Sequence, residues 1–325
     1  MVETSTSEFA LIERHFVRPT PGTVLGPGDD CAIVAPSSGY ELCITTDMLA
    51  EGTHFLANTD PERLGWKTLA VNLSDIAAMG AAPRWVLLAG CLPAADEAWV
   101  AAFARGFFAL AREAGVDVIG GDTTRGPRNF CVTAIGELPA GTAIRRDGAK
   151  AGDDLWVSGY PGRAALGLAH LLGQTFLPEP LQTLCVGALE RPRPRLELGM
   201  VLRGVASAAI DVSDGLLGDL MHILERSRLS ARVDCSAFSW LLDSFPATEQ
   251  VAPLTALLTG GDDYELVFAA PSARRQQIEN FASQLGVPLT RFGVCVAGTS
   301  APAIDLRATD GTPMELPRIG YDHFQ

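Results

Sequence analysis

Along the first half of the chain, short runs rich in β-branched and aromatic residues alternate with stretches whose apolar positions recur every three to four residues. Such alternation predicts sheet and helix packed in layers. Residues 31–35 and 41–46 read as strands, the second delivering Asp47 at its end. Asp60-Pro61 opens a helix in which Leu64, Leu69, Leu73 and Ile76 keep helical spacing until Gly80 stops it. Asn72 and Asp75, three apart, fall on one face of that helix. A strand over 85–90 follows, then a helix over 96–114 with Trp99, Phe103, Phe107 and Leu110 inward and Gly115 as its cap. Residues 116–119 form a strand running into Gly120-Gly121-Asp122, and 130–138 form another. The stretch 139–154, rich in Gly, Ala and charge, reads as an inter-domain connection that divides the chain into 1–140 and 141–325.

The second half opens with a strand over 155–158, a helix over 163–172, a proline-broken segment over 178–194 and a helix over 195–203. A short strand over 208–212 ends in Ser213-Asp214-Gly215. The amphipathic helix 216–226 then turns Leu217, Leu220, Met221 and Leu224 inward. A similar unit follows: Gly260-Gly261-Asp262-Asp263, a strand over 264–270, a helix over 272–285 and a strand over 291–296. The halves share acidic turns but no fixed-period repeat.

With 325 residues, 47% of them hydrophobic, the chain can bury a core in each of two domains. A net charge of −13 leaves no basic stripe for a nucleic-acid backbone or an anionic membrane. No apolar run approaches the length of a membrane span, and residues 1–9 lack a basic and apolar leader, so a cytoplasmic protein is expected. The seven cysteines are odd in number, form no C-x-x-C pair and lie mostly in apolar runs, which reads as reduced core thiols.

Chemistry concentrates in the aspartates, which recur where apolar runs meet turns. A single aspartate at a turn ordinarily caps a helix or closes the turn, and that suffices for Asp29, Asp60 and Asp263. Asp30, Asp47, Asp75, Asp122, Asp211 and Asp214 differ, because Thr45, Thr46 and Ser213 add hydroxyl oxygens beside them. An all-oxygen set suits Mg²⁺ rather than zinc, and neither the cysteines nor the five isolated histidines offer zinc spacing. A G-x-x-x-x-G-K-[ST] loop and the protein-kinase signatures are absent. Any nucleotide would therefore be held through Mg²⁺ on a carboxylate cage, helped by glycine-rich turns such as 120–126. Arg145 and Arg146 are candidates for phosphate contact, or a solvated basic pair.

Taken together, the segments 26–32, 45–47, 52–55, 70–80, 120–126, 210–216, 260–266 and 320–324 resemble the thiamine-monophosphate kinases, a branch of the aminoimidazole ribonucleotide synthetase-like superfamily. The resemblance covers nearly the whole chain. It implies an α/β (α+β) fold of two domains: an N-terminal sheet domain (1–140) that binds ATP and Mg²⁺ and dimerises, and a C-terminal α/β domain (141–325) that completes the nucleotide and substrate site. A homodimer with its active site between domains is implied. So are Mg²⁺ ligation by Asp30, Thr45, Thr46, Asp47, Asp75, Asp122, Asp211 and Asp214, and ATP contacts from Gly121, Asp122, Arg146 and Ser213. Thiamine monophosphate would meet His54, Asp262 and Tyr321, while Asp47 and Asp122 would matter most for catalysis.

Two positions depart from the family pattern: Thr45 stands where Ser is common, keeping the hydroxyl, and Asp262 stands where Glu is usual, one methylene shorter. The family's adenine-flanking position, often aromatic, falls near 105–107, with no single residue assigned to it. The implied reaction is direct in-line transfer of the ATP γ-phosphoryl to thiamine monophosphate. Its acceptor phosphate, with a second pKa of about 6, is already anionic at neutral pH and needs no general base. Left open beside it are another ATP-dependent synthetase or phosphotransferase of the superfamily, a Mg²⁺-dependent phosphohydrolase, and an acidic structural protein whose aspartates cap turns.

Overall fold

A computed structural model describes residues 8–246, 249–298 and 301–315. The chain forms two compact units, one comprising the residues up to Ile76 with Ala81–Gly141, the other Ala77–Gly80 with the residues from Thr142 on.

The first unit contains α1 (Glu8–His15), β1 (Tyr40–Ala50), α2 (Pro61–Ala78, its last turn belonging to the second unit), β2 (Ala82–Leu92), α3 (Glu97–Ala114), β3 (Asp117–Arg125) and β4 (Asn129–Pro139). Its four strands run in the order β1-β4-β2-β3, with β4 antiparallel to both neighbours and β2 parallel to β3. Asp60 starts α2 by accepting from Arg63 N at 3.0 Å, and Asp96 starts α3 by accepting from Trp99 N at 3.1 Å. Leu64, Leu69, Leu73 and Ile76 are all buried, as their spacing required. The two helices approach so closely that a Cβ on Gly65 would lie 2.0 Å from Phe103 O, and one on Gly106 only 1.7 Å from Glu62 O. Beneath them Trp99, Phe103 and Phe130 stack at centroid separations of 4.5 to 5.9 Å.

Three sequence readings change here. The strand expected at 31–35 reduces to a single bridge, Leu25↔Ile33. β1 runs on to Ala50, so Asp47 lies inside the strand, not at its end. Gly120-Gly121-Asp122 is likewise part of β3: the pairing shifts from Val86↔Val118 to Leu87↔Gly120, leaving Ile119 as a bulge that lets the strand continue through the glycines.

The second unit contains β5 (Asp153–Ser158), α4 (Arg163–Leu171), α5 (Leu181–Glu190), α6 (Leu196–Leu202), β6 (Ala208–Asp211), α7 (Leu216–Ser227), β7 (Leu229–Asp234), α8 (Ser239–Leu242), α9 (Val251–Thr259), β8 (Leu266–Pro271), α10 (Arg275–Leu285), β9 (Leu289–Ala297) and β10 (Ile304–Arg307). Six strands run in the order β10-β7-β9-β5-β8-β6. Leu155, Val157, Ile210 and Val267 point to a core shared with Leu217, Leu220 and Leu257, while Trp156, Leu266 and Phe268 point to a second one with Leu198, Leu202 and Ile278. Alternate side chains are thus buried on both faces, which makes the strands read as continuous apolar runs. The proline-broken segment holds α5: Pro178, Pro180 and Pro192 flank the helix, and 181–190 contains no proline. β7, α9 and β10 had no counterpart in the sequence reading.

Cys185, Cys235 and Cys295 are buried, but Cys31 is exposed and Cys43, Cys91 and Cys131 are half-buried, so the expectation of core thiols holds for only three. No helix among the described residues is long and apolar enough to cross a membrane.

Candidate active site

In the first unit the acidic residues are set by the register of β1 against α2. Strand alternation sends Thr45 and Asp47 to the face that meets α2. There Thr45 Oγ1 donates to Asp75 Oδ2 at 2.5 Å, and the Asp47 amide donates to Asn72 Oδ1 at 2.9 Å. Asn72 is wholly buried and donates from Nδ2 to Thr68 O, so both ends of its amide are committed. Thr46 faces the other way, donating to Val132 O at 3.0 Å beside Thr133 and Cys131. Three consecutive residues were expected as ligands; only Thr45 and Asp47 present side chains to the same place.

Asp122 is exposed and accepts from Thr123 N at 2.9 Å. Its neighbour Gly121 holds φ +155°, where a Cβ would lie 1.8 Å from Leu88 O, so only glycine fits. An apolar hollow lined by Phe16, Leu88, Phe103 and Val118 opens beside these two residues. Asp30 lies in an exposed turn closed by Asp29, whose carboxylate accepts the Asp30 amide at 2.8 Å. His54 Nδ1 accepts from Ala50 N at 3.0 Å, which puts the proton of the neutral ring on Nε2. The backbone carbonyl of His54 is held by the ammonium of buried Lys67 at 3.2 Å. Within 105–107, Phe107 is fully buried and Gly106 is packed against α2, leaving Arg105, paired with Glu62, as the exposed side chain.

In the second unit Asp211 ends β6 and is buried, and Ser213-Asp214-Gly215 turns the chain into α7. The turn is held by a residue the sequence reading passed over. Buried Asp219 folds back so that Oδ2 accepts from Ser213 N, Asp214 N and Gly215 N at 3.0, 3.0 and 3.1 Å. Burial pushes its carboxyl up to about 7, with the nearby Asp214 carboxylate adding to the shift against the amides, which favour the ionised form. An acidic residue on the inward stripe of an otherwise apolar helix was the available signal.

The second glycine-rich turn packs on the first. Asp262 N donates to Ser213 O at 2.9 Å and Tyr264 N to Val212 O at 2.8 Å. Asp262 and Tyr264 both hold positive φ, 70° and 52°, uncommon for residues with a Cβ and concentrated at functional sites. Tyr264 Oη donates to Asp262 Oδ1 at 3.0 Å. Asp263 has the capping role expected of it, receiving the Gly162 and Ala164 amides at the start of α4; burial raises its carboxyl well above the ordinary range. Arg145 is spent on a bidentate pair with Asp147, whereas Arg146 is exposed. Tyr321 lies outside the described residues.

Residues 28–138 match the family model described as AIR synthase related protein, N-terminal domain. The thiamine-monophosphate kinase of Salmonella typhimurium is 43% identical over 322 residues, covering 98% of both chains. The chain belongs to the thiamine-monophosphate kinase family. It is therefore a kinase, and its mixed α/β architecture is the aminoimidazole ribonucleotide synthetase-like fold. Among solved structures, the thiamine-monophosphate kinase of Stenotrophomonas maltophilia superposes with a TM-score of 0.82 at 45% identity, covering 93% of this chain and 97% of that one. AaThiL complexed with AMPPCP and TMP gives 0.73 at 28% identity, covering 98% and 97%.

Against that background the donor chemistry is coherent. Every side chain in the family's acidic positions offers oxygen, the preference of a hard cation. Among the described residues no three His, Cys, Asp or Glu side chains converge into a preformed metal site. Mg²⁺ does not require one, since it is usually held by one or two carboxylates with substrate phosphates filling the remaining positions.

Proposed function

We propose that this kinase transfers the γ-phosphoryl group of ATP directly to the phosphate of thiamine monophosphate, giving thiamine diphosphate and ADP. The observation that carries this reading is the pair of positions beside α2: Thr45 bonded to Asp75, and Asp47 held through its amide by buried Asn72. These contacts set Thr45 and Asp47 of β1 against Asp75 and Asn72 of α2, and the oxygens they bring to that face are the kind a hard cation takes. Mg²⁺, when bound, supplies the charge screening that two phosphates need to approach in line.

Asp47 and Asp75 would hold Mg²⁺, joined by Asp30, by Asp122 and by Thr45 through its hydroxyl. Thr46, whose side chain points away, would serve only through its main chain. Asp211 and Asp214 are the ligands proposed in the second unit. Gly121 and Ser213 would meet the nucleotide, since the backbone at Gly121 carries no side chain and the Ser213 hydroxyl is not spent on the turn. Exposed Arg146 would meet its phosphates. His54, with Nε2 as donor, and Asp262 would receive thiamine monophosphate, together with Tyr321. A general base is unnecessary, because the acceptor oxygen is ionised at neutral pH.

Two further elements belong to the reading. Along β1, Leu42, Ile44 and Met48 are exposed on the face opposite α2, Ile44 to 65%, an apolar strip suited to a second copy of the chain; light scattering should give twice the monomer mass of 34.4 kDa. Use of ATP as donor favours a cytoplasmic location.

The test is to incubate the protein with ATP, Mg²⁺ and thiamine monophosphate and to separate the products. Thiamine diphosphate and ADP are expected in equal amounts, with no ADP when the acceptor is omitted. ADP formed without acceptor would instead indicate hydrolysis.

A further inference from the structure

Ser213 has its main chain committed on both sides. Its amide points to the Asp219 carboxylate at 3.0 Å, and its carbonyl accepts from the Asp262 amide at 2.9 Å. The next two amides, of Asp214 and Gly215, end on the same Asp219 oxygen. At Gly215 itself (φ +119°) the space a Cβ would need is filled by the Thr259 backbone, and that at Gly261 by Ser213 O at 2.2 Å. The two glycine-rich turns are thus interlocked by backbone contacts that admit no side chain. The only side chain these hydrogen bonds use to hold the first turn is Asp219. The bonds that close the turn run through main-chain amides and do not call on the Asp214 carboxylate or the Ser213 hydroxyl.

We propose that Asp219 is a positioning residue for phosphoryl transfer: by gathering three amides it sets Ser213 and Asp214 for the nucleotide, and through the Ser213–Asp262 bond it also sets Asp262 for the acceptor. The inference rests on the roles given above to Ser213, Asp214 and Asp262. Its distinctive content is coupling. A residue that merely stabilised α7 would change the melting temperature and leave the folded enzyme's constants alone. A residue that aligns both turns changes donor affinity, acceptor KM and turnover together, because productive geometry is lost with shifts of about an ångström.

Tyr264 supplies the contrast. Its hydroxyl donates to Asp262 Oδ1 at 3.0 Å, within the second turn. The family's usual Glu is replaced here by the shorter Asp262, and the tyrosine hydroxyl fixes where that carboxylate sits. Its removal should affect the acceptor alone.

The experiment compares the full-length wild type with Asp219→Asn, Asp219→Ala and Tyr264→Phe. The readouts are melting temperature, steady-state constants for both substrates, and calorimetric affinity for AMPPCP with Mg²⁺. Asparagine keeps the size and one acceptor oxygen but puts a donor NH2 in place of the second carboxyl oxygen. Expected for Asp219→Asn is a folded protein with kcat at least tenfold lower, AMPPCP bound at least tenfold more weakly, and a raised KM for thiamine monophosphate. Tyr264→Phe should raise that KM about fivefold, as loss of one hydrogen bond does, and leave AMPPCP affinity unchanged. Asp219→Asn with kcat and AMPPCP affinity within twofold of wild type, whatever its melting temperature, would overturn the proposal. Should Asp219→Ala fail to fold, the asparagine variant decides. Should the wild type not phosphorylate thiamine monophosphate, the kinase reading falls, while the AMPPCP arm still decides whether Asp219 sets the nucleotide-facing turn.

Discussion

The two units place their acidic residues by different means. In the first, Thr45 and Asp47 sit inside β1 and are matched to Asp75 and Asn72 on α2, so regular elements in a fixed register hold them. In the second, Ser213, Asp214 and Asp262 sit on glycine-rich turns, held by amides gathered on a buried carboxylate and by residues at positive φ. A site built on strand and helix inherits their rigidity. A site built on turns needs its own internal supports, and those supports become as sensitive to substitution as the residues they hold.

The largest expected effect separates charge from scaffold in the first unit. Asp47→Asn keeps the amide that bonds Asn72 and should melt like wild type, with kcat lowered by about 100- to 1000-fold, the cost of removing one preorganised electrostatic group. Turnover within threefold of wild type would remove Asp47 from the account. Next, Gly121→Ala forces a Cβ against Leu88 O, and the strain should destabilise the protein by about 3 kcal/mol in urea unfolding. A loss below about 0.5 kcal/mol would show that β3 can shift its bulge to make room.

Asn72→Ala tests whether the strand–helix register depends on its polar link. It takes the Asn72 acceptor from the half-buried Asp47 amide and empties a buried side-chain site, and should cost about 2 kcal/mol of stability while also lowering turnover. A stability loss without any change in turnover would make Asn72 purely structural. The smallest effect is expected where the side chain points away: Thr46→Val should cost less than about threefold in activity, against more than about tenfold for Thr45→Val, the difference between a peripheral contact and a charge-assisted one. Equal losses would contradict the alternation of β1.

How much of this was legible beforehand follows the same division. The start of α2 at Asp60-Pro61, the α3 boundaries at Asp96 and Gly115, and the burial of Leu64, Leu69, Leu73 and Ile76 all follow from capping chemistry and helical spacing. The placement of Asn72 and Asp75 on one helix face was readable for the same reason. The opposite orientation of Thr46 was already implied by the strand period over 41–46; the family resemblance alone set it beside Thr45 as a ligand. Gly120-Gly121-Asp122 resembled a turn because glycines mark turns and bulges equally well, and only the pairing of β2 with β3 decides between them.

The second unit was harder. The return of Asp219 to residues 213–215 is local and was signalled by a carboxylate on the inward stripe of α7, but the bonds from residues 262 and 264 to residues 212–213 join segments about fifty residues apart, which no local periodicity encodes. The prolines around α5 were read as breaking a segment that they in fact delimit. At Asp263 the capping chemistry was legible but its target was not: the carboxylate closes the start of α4, about a hundred residues earlier in the chain.

The most direct test titrates Mg²⁺ at fixed ATP and thiamine monophosphate and follows thiamine diphosphate for wild type, Asp47→Asn and Asp214→Asn. Expected is a Mg²⁺ requirement in the wild type, shifted to at least tenfold higher concentration or accompanied by a collapse of maximal rate in each variant. Wild-type Mg²⁺ dependence and rate in both variants would contradict the assignment of these carboxylates to the cation, and with it the explanation of why an acidic chain binds polyphosphate.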